Sequence, residues 1–197
     1  LTSTTGISGT FTQLEGVIDS SIITGLNSEA LTENSGGTIT VANANKLTQA
    51  TTGKVTATVA SGTLTTLNGL SAASQPANGD ALALTLTSTT VDAGDLSTLD
   101  SKVDQAGGGS IDMNTVVKLT GTLTEVEQFI TDKDNFDNND HVADVTLDAG
   151  TIGDAGAVDT LSSDLRTLQD GNDAEINLTG ITAISGTYVE IKAIIDG

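Results

Sequence analysis

One phrase occurs four times in this chain, and its spacing constrains the fold more than any other feature of the sequence. The stretch "ISGTFTQLEGVI" (7–18) returns as "ASGTLTTLNGLS" (60–71), "LTGTLTEVEQFI" (119–130) and "ISGTYVEIKAII" (184–195). The shared glycines stand at positions 9, 62, 121 and 186, so the intervals are 53, 59 and 65 residues. Self-similarity at a nearly fixed period indicates a repeat architecture, in which stacked copies build one continuous core.

Each copy predicts a short helix with a marked beginning. Apolar residues follow the glycine at the second, fifth, eighth and ninth places, a spacing that puts them on one helix face. These residues are Phe11, Leu14, Val17 and Ile18; Leu64, Leu67 and Leu70, with Ser71 as an exception; Leu123, Val126, Phe129 and Ile130; and Tyr188, Ile191, Ile194 and Ile195. A Thr after the glycine, followed three places later by Gln or Glu, predicts a capping box at Thr10, Thr122 and Thr187.

A second helical element is predicted midway between the copies. The stretches "VDAGDLSTLDSKV" (91–103) and "GDAGAVDTLSSDL" (153–165) each have an Asp followed by apolar residues at the fourth, seventh and eleventh places. Asp92 and Asp154 are therefore predicted to be the N-caps of further short helices. A weaker copy of this element begins at Asn43.

Between the helices, apolar residues alternate with Thr, Asn or Asp, a pattern that predicts half-buried strands. The predicted strands are "TITV" (38–41), "KVTATVA" (54–60), "LALTLT" (82–87), "SIDMN" (110–114), "DVTL" (144–147) and "EINL" (175–178). Because strands and helices alternate along the chain, parallel pairing is expected. We therefore predict an α/β repeat solenoid with short parallel strands and short helices in each coil, the alternative being a β-helix with helical insertions.

The predicted organisation is a single solenoid domain over residues 1–197 with about three repeats. The expected boundaries are a partial repeat at 1–31 and full repeats at 32–81, 82–142 and 143–197. Segments rich in Gly, Asn, Asp and Ser, at 71–81, 105–110 and 131–141, are predicted loops that absorb the differences in repeat length.

Charge and composition argue against several classes of function. The chain has 26 acidic and 7 basic residues, a net charge of -19, and such a surface repels nucleic acid. No apolar run approaches the roughly 20 residues of a membrane helix, so no membrane insertion is expected. Cysteine is absent and His141 is the one histidine, so neither a thiol nor a histidine-dependent catalytic site is expected. With no secretory signal after Leu1, we expect an excised or mature piece, or export without an N-terminal signal.

The strongest candidate for a ligand site is the acidic loop at 131–141. It combines four Asp with neighbouring Asn side chains, the oxygen ligands that calcium prefers. The predicted metal ligands are Asp132, Asp134, Asp137 and Asp140. Their spacing matches neither an EF-hand nor the glycine-rich nonapeptides of β-rolls, so a solvated loop is expected, with a weak calcium site as the alternative. No other cofactor is expected.

Three phrases resemble a known class of repeat: "VTLDAGTI" (145–152), "DAGDLSTLDSKV" (92–103) and "LTGTLTEVEQFI" (119–130). They are similar to Thr/Asp-rich strand–helix repeats of very large secreted proteins of marine cyanobacteria, and of fibre-type structural proteins of the phages that infect them. The resemblance covers residues 31–197 in register, and residues 1–20 match its final part. It implies a structural role outside the cell, on the cell surface or on a virion, and it implies no catalytic residue.

These observations predict a structural repeat protein, not an enzyme, that forms a fibre, filament or surface layer by stacking coil on coil. The first and last twenty residues have the same phase, with Gly9 matching Gly186 and Ile18 matching Ile195. Copies of the chain are therefore expected to dock head to tail. The alternatives are a carbohydrate-binding adhesin or receptor-binding fibre that uses loops such as 131–141 on surface polysaccharide, and a polysaccharide-degrading enzyme on the same scaffold.

Overall fold

The structure, a computed structural model, describes residues 5–24, 26–71, 80–103, 107–142, 144–168 and 175–196. Its strands are β1 (Gly6–Gly9), β2 (Ala30–Glu33), β3 (Val55–Thr58), β4 (Ala81–Thr85), β5 (Thr90–Asp92), β6 (Ser110–Asp112), β7 (Lys118–Gly121), β8 (Phe136–Asp137), β9 (Asp144–Leu147), β10 (Gly150–Ile152), β11 (Glu175–Asn177) and β12 (Ile181–Ile184). Its helices are α1 (Phe11–Ile18), α2 (Val41–Ala50), α3 (Leu64–Leu67), α4 (Ala93–Asp100), α5 (Leu123–Asp132), α6 (Ala155–Leu168) and α7 (Tyr188–Asp196). The fold is α/β, with parallel strands and several short helices, as the sequence predicts.

The chain divides into two compact units. Unit 1 comprises residues 1–87 and 98–112, and unit 2 comprises residues 88–97 and 113–197. The single continuous domain over 1–197 stays a prediction.

In unit 1, five strands form a parallel sheet in the order β1-β2-β3-β4-β6. Isolated parallel bridges, Ile39 with Val59 and Gly62 with Leu86, extend the pairing beyond the strands. In unit 2, β5, β7, β9 and β11 form a second parallel sheet in that order, and β10 pairs in parallel with β12. Neighbouring strands are thus joined by connections that contain a helix, as parallel pairing requires.

The interval between paired residues is about half of the sequence period. Within the named strands it ranges from 24 positions, between Gly6 and Ala30, to 32 positions, between Ile152 and Ile184. We call a strand segment and the helix that follows it a pass. One sequence repeat of about 59 residues therefore contains two passes, each of which pairs with the next.

The helices begin where the capping residues predict. Thr10 and Thr122 form complete capping boxes with Gln13 and Glu125. Thr40 and Thr63 are N-caps of α2 and α3. The helical element expected to begin at Asn43 begins earlier, since the Thr40 hydroxyl accepts the Asn43 amide at 3.2 Å.

Asp92 and Asp154 lie at the predicted starts of α4 and α6. The Asp92 carboxylate accepts a hydrogen bond from the Asp95 amide at 3.1 Å, and the Asp154 carboxylate accepts one from the Gly156 amide at 2.9 Å. The prediction of a second capped helix in each repeat is confirmed.

Five of the six predicted strands coincide with observed ones, namely β3, β4, β6, β9 and β11. The prediction of a strand at 38–41 is wrong. Ile39 forms one isolated bridge, Thr40 caps α2, and Val41 is its first residue. A Thr immediately before a helical segment can accept a hydrogen bond from a backbone amide of the first turn with its side-chain oxygen. This capping outweighs the β-propensity of a run of four residues.

The core consists of aliphatic side chains that point inward from the strands and helices. The buried helical residues include Leu14, Leu47, Leu67, Leu96, Leu99, Val126, Phe129, Val158, Leu161 and Leu165, most of which lie on the predicted apolar faces. Tyr188 is an exception, because its side chain is 79% exposed although the pattern predicts a core position. It lies in the first turn of α7, and α6 is the helix that packs with α7.

Candidate functional site

The N-terminal ends of α4 and α5 lie against each other in unit 2. α4 begins with Asp92-Ala93-Gly94, and α5 begins with Gly121-Thr122 and has Glu125 in its first turn. We call this arrangement the cap pair. It recurs between successive passes of unit 2, and we take it as the candidate functional site.

Small residues permit the close approach in the cap pair of α4 and α5. A Cβ atom placed on Gly94 would lie 2.6 Å from Glu125 Oε1, closer than two such atoms can come. Gly121 has a φ of +146°, which favours glycine, and its Cβ would lie 3.4 Å from that of Ala93. The glycine of Asp-Ala-Gly therefore makes room for the capping carboxylate of the next pass.

The Glu125 carboxylate completes the capping box of α5. Its Oε2 atom accepts hydrogen bonds from the Thr122 amide at 2.8 Å and from the Thr122 hydroxyl at 2.9 Å. These bonds, the amide first, lower the pKa of Glu125 below its ordinary value because they stabilise the charged form.

The same cap pair recurs between α6 and α7. Asp154-Ala155-Gly156 begins α6, and Glu190 Oε2 accepts the Thr187 amide at 2.6 Å. A Cβ atom on Gly186 would lie 2.6 Å from the Cβ of Ala155, and one on Gly156 would lie 3.4 Å from Glu190 Oε1. Two independent segments of the chain thus form the same contact.

An ion pair links α1 and α2, the first two helices of unit 1. Lys46 of α2 donates to Asp19 Oδ2 at 2.7 Å and to Glu15 Oε1 at 3.0 Å. Both bonds, that to Asp19 first, raise the pKa of Lys46 above its ordinary value. All three side chains are a third or more exposed, so the pair fixes helix register more than it adds stability.

The predicted calcium ligands lie along one short stretch of backbone. Asp132 ends α5, Asp134 lies in the 3-10 turn Lys133–Asn135, Asp137 ends β8, and Asp140 lies in the 3-10 turn Asn139–His141. The Asp132 carboxylate accepts the Gln128 side-chain amide at 2.6 Å, and the Asp134 side chain is 93% exposed. The side chain of His141 lies outside the described part.

Within the described ranges, no three acidic or histidine side chains come together in a way that could hold a metal ion. The loop is instead organised by its backbone and amides. Asn139 Nδ2 donates to the carbonyl oxygens of Lys133 and Phe136, and the buried Phe136 ring lies 5.5 Å from that of Phe129. Calcium binding at this loop stays a prediction.

A hollow of about 250 Å³ was not predicted from the sequence. It lies in unit 2 between the start of α5 and β10, and it is lined by Thr122, Leu123, Thr124, residues 147–153 and Ile181. Its walls combine threonine hydroxyls, the exposed carboxylate of Asp148 and aliphatic side chains. No motif marks it, because its residues come from three separate elements.

The sequence did contain a signal for the cap pair. The two copies of Asp-Ala-Gly that begin a helix, at 92–94 and 154–156, are each followed about thirty residues later by Gly-Thr and a Glu three places beyond the Thr, whereas the third copy at 148–150 is not. The repeated interval is the signal that links the two motifs in unit 2.

No family model, curated protein or solved structure matches this chain. In the described ranges, no helix is both long and apolar enough to cross a membrane.

Proposed function

We propose that this protein is a structural repeat module whose passes stack as an α/β solenoid. In this proposal it lies outside the cell, on the cell surface or on a virion, and contributes to a fibre, filament or surface layer. The resemblance of residues 31–197 to repeats of secreted cyanobacterial and phage proteins supports that placement, as does a net charge of -19, which suits a protein that stays dispersed in salt water. The role needs no catalytic group.

The observation that supports the proposal most is the repetition of the cap pair. A globular enzyme has no need to form the same helix-to-helix contact twice, whereas a stacked array needs one contact that recurs at every step. The parallel ladders supply the rest of the contact, because each strand presents donors and acceptors to the next.

We further propose that copies of the chain associate head to tail. Among the described residues β1 pairs with β2 alone, and β12 pairs with β10 alone, so each presents an open edge. Contact between α7 and the α1 of another copy would join two helices with the same Gly-Thr cap. Since unlike caps meet in the cap pairs, we expect this contact to be weaker than those within the chain.

Negative-stain imaging combined with light scattering over a hundredfold range of concentration tests the assembly. The proposal predicts a rise in mass with concentration and rods or filaments at the upper end. Particles of one chain mass at every concentration would rule out head-to-tail association. Such a result would not bear on the solenoid fold of the single chain, which unfolding measurements test separately.

The hollow beside Asp148 favours a second function, a carbohydrate-binding adhesin. Its volume is below the usual 300–1,000 Å³ of ligand pockets, so a single sugar ring is the fitting ligand. Hydroxyl groups at Thr124 and Thr151 and the Asp148 carboxylate would bond the sugar. Titration with a panel of monosaccharides tests this: binding that D148N and T151V abolish supports it, and no binding by the unaltered chain contradicts it.

A further inference from the structure

Asn177 is the one asparagine of this chain that is followed, two places later, by Ser or Thr. The chain has twelve asparagines, and the stretch in question is Asn177-Leu178-Thr179. The spacing Asn-x-Ser/Thr, with any residue but Pro between, is the acceptor motif of N-linked glycosylation.

The structure places this motif on an accessible turn. In β11 the side chains of Glu175 and Asn177 are exposed while Ile176 between them is half-buried. The chain then turns, with the Ile181 amide donating to the Leu178 carbonyl oxygen at 2.9 Å. Thr179 lies within that turn and is exposed, so an enzyme can reach both polar residues from one side.

Hydrogen bonds fix the orientation of the Asn177 side chain. The Thr179 amide donates to Asn177 Oδ1 at 2.8 Å, and the Thr179 hydroxyl donates to the same atom. A backbone N–H can only donate, so it identifies the bonded atom as the oxygen and not the nitrogen. Because the amide group is planar, Nδ2 then points away from the turn, and in the described part of the chain it donates to no acceptor.

We propose that Asn177 is an acceptor site for an N-linked oligosaccharide, an inference that rests on the proposed placement outside the cytoplasm. In the reaction, Asn177 Nδ2 attacks C1 of an oligosaccharide linked to a lipid diphosphate. The C–N bond forms, the C1–O bond to the phosphate breaks, the lipid diphosphate leaves with the electron pair, and Nδ2 gives up one proton to a base of the transferase.

The position of the site has a structural consequence. β11 pairs with β9 and with no other strand in the described ranges. A glycan on Asn177 would therefore lie at an edge of the sheet and limit the docking of another chain there.

The test treats the folded, full-length chain with a single-subunit bacterial oligosaccharyltransferase and a lipid-diphosphate-linked oligosaccharide, and measures the intact mass. The expected result is an increase by the mass of one oligosaccharide, mapped to Asn177 by peptide analysis. N177Q and T179A should lose the increase completely, and T179S should keep it. The heat-unfolded chain is the control for enzyme activity.

Modification of the unfolded chain but not of the folded one would overturn the proposal, because the fold would then protect the site. Absence of modification in both would overturn it as well, provided that a reference acceptor peptide is modified. Neither result depends on assembly or on where the protein resides, so a failure here is distinguishable from a failure of the structural function.

Discussion

Two glycines of unit 2 permit close packing between successive passes. A Cβ atom on Gly186 would meet the Ala155 Cβ, and one on Gly94 would have to displace the Glu125 carboxylate. The equivalent Gly9 and Gly62 instead meet Gln13 and Thr66 of the helices that follow them. The conformational freedom of glycine matters at Gly121, where φ is +146°.

The first prediction compares two Gly→Ala substitutions. G186A should destabilise the chain by about 1–3 kcal/mol, the usual cost of overpacking, because its Cβ would lie 2.6 Å from that of Ala155. The matched control is G16A in α1, where nothing lies within 4 Å of the added Cβ. Alanine favours the helix there, so a gain of about 0.5–1 kcal/mol is expected. Urea unfolding measures both, and equal effects of the two changes would contradict the close packing of the caps.

The second prediction concerns acid. The hydrogen bonds to Glu125 lower its folded-state pKa below the ordinary value of about 4.3. Their stabilisation is therefore complete above that value and is lost as pH falls through the folded-state pKa, since the unfolded chain takes up the proton first. E125Q keeps an acceptor oxygen, as Gln13 does in α1, but does not titrate.

The stability advantage of the unaltered chain over E125Q should accordingly shrink between pH 6 and pH 3. Unfolding free energies of both chains, measured across that range, provide the check. A difference that stays constant with pH would show that the carboxylate charge contributes nothing to the cap.

At the scale of elements, helix faces and helix starts were predictable, whereas the strands were predictable only in part. The apolar spacing of α5 and the capping box at Thr122 are local properties, so the sequence determines both. β10 and β12 went unpredicted because their sequences, GTI and ITAI, do not alternate apolar and polar residues. The exposure of Tyr188 was likewise unpredictable, since periodicity shows which side chains share a face but not what covers that face.

The third prediction tests the apolar face of α5. Val126 has no exposed surface, so V126D should cost at least about 3 kcal/mol, the penalty of a buried charge without a partner. T124D, on an exposed position of the first turn, is the control and should be neutral or slightly stabilising, because an acidic group favours a helix N-terminus. Thermal melting followed by circular dichroism compares them. An unchanged melting temperature for V126D would refute the register of the helix.

The fourth prediction concerns the acidic loop at 131–141. Because its carboxylates are spread along the backbone and Asp134 is exposed to water, any calcium binding should be no tighter than the roughly 10⁻⁴–10⁻³ M of weak extracellular sites. Titration calorimetry with the unaltered chain and with D134N and D137N is the measurement. A saturable heat at micromolar calcium that either variant abolishes would establish a dedicated calcium site.

At the scale of the whole molecule, the sequence period and the structural step differ by a factor of two. Copies of the phrase recur about every 59 residues, while paired strands lie 24–32 positions apart. In unit 2 the alternation of Asp-Ala-Gly and Gly-Thr caps explains the difference, because unlike passes alternate and only every second pass has the same sequence. In unit 1 the intervening helix, α2, is capped by Thr40 instead. Periodicity alone could not reveal this, since it reports which segments are alike and not which segments touch.

The account therefore predicts that an added copy continues the stack only if the alternation is kept. Residues 178–197 correspond to residues 1–20 in their position within the repeat, so residue 197 is equivalent to residue 20. An in-phase tandem chain therefore joins residue 197 of one copy to residue 21 of the next. An out-of-phase tandem joins residue 197 to residue 1 and places two Gly-Thr passes in succession. Lys192 has the place in its repeat that Glu15, an ion-pair partner of Lys46, has in the first one. In the in-phase tandem Lys192 would therefore face Lys46 of the next copy, so both tandems and the single chain carry K192E to remove this repulsion between two lysines.

The melting temperatures of these three chains test whether this protein is a stack of alternating passes. In a stacked array each added neighbour contact raises stability. The in-phase tandem should therefore unfold in one transition at a higher temperature than the single chain, and the out-of-phase tandem should melt between the two, because its junction contact is the weaker one. Identical melting temperatures for the two tandems would contradict the account.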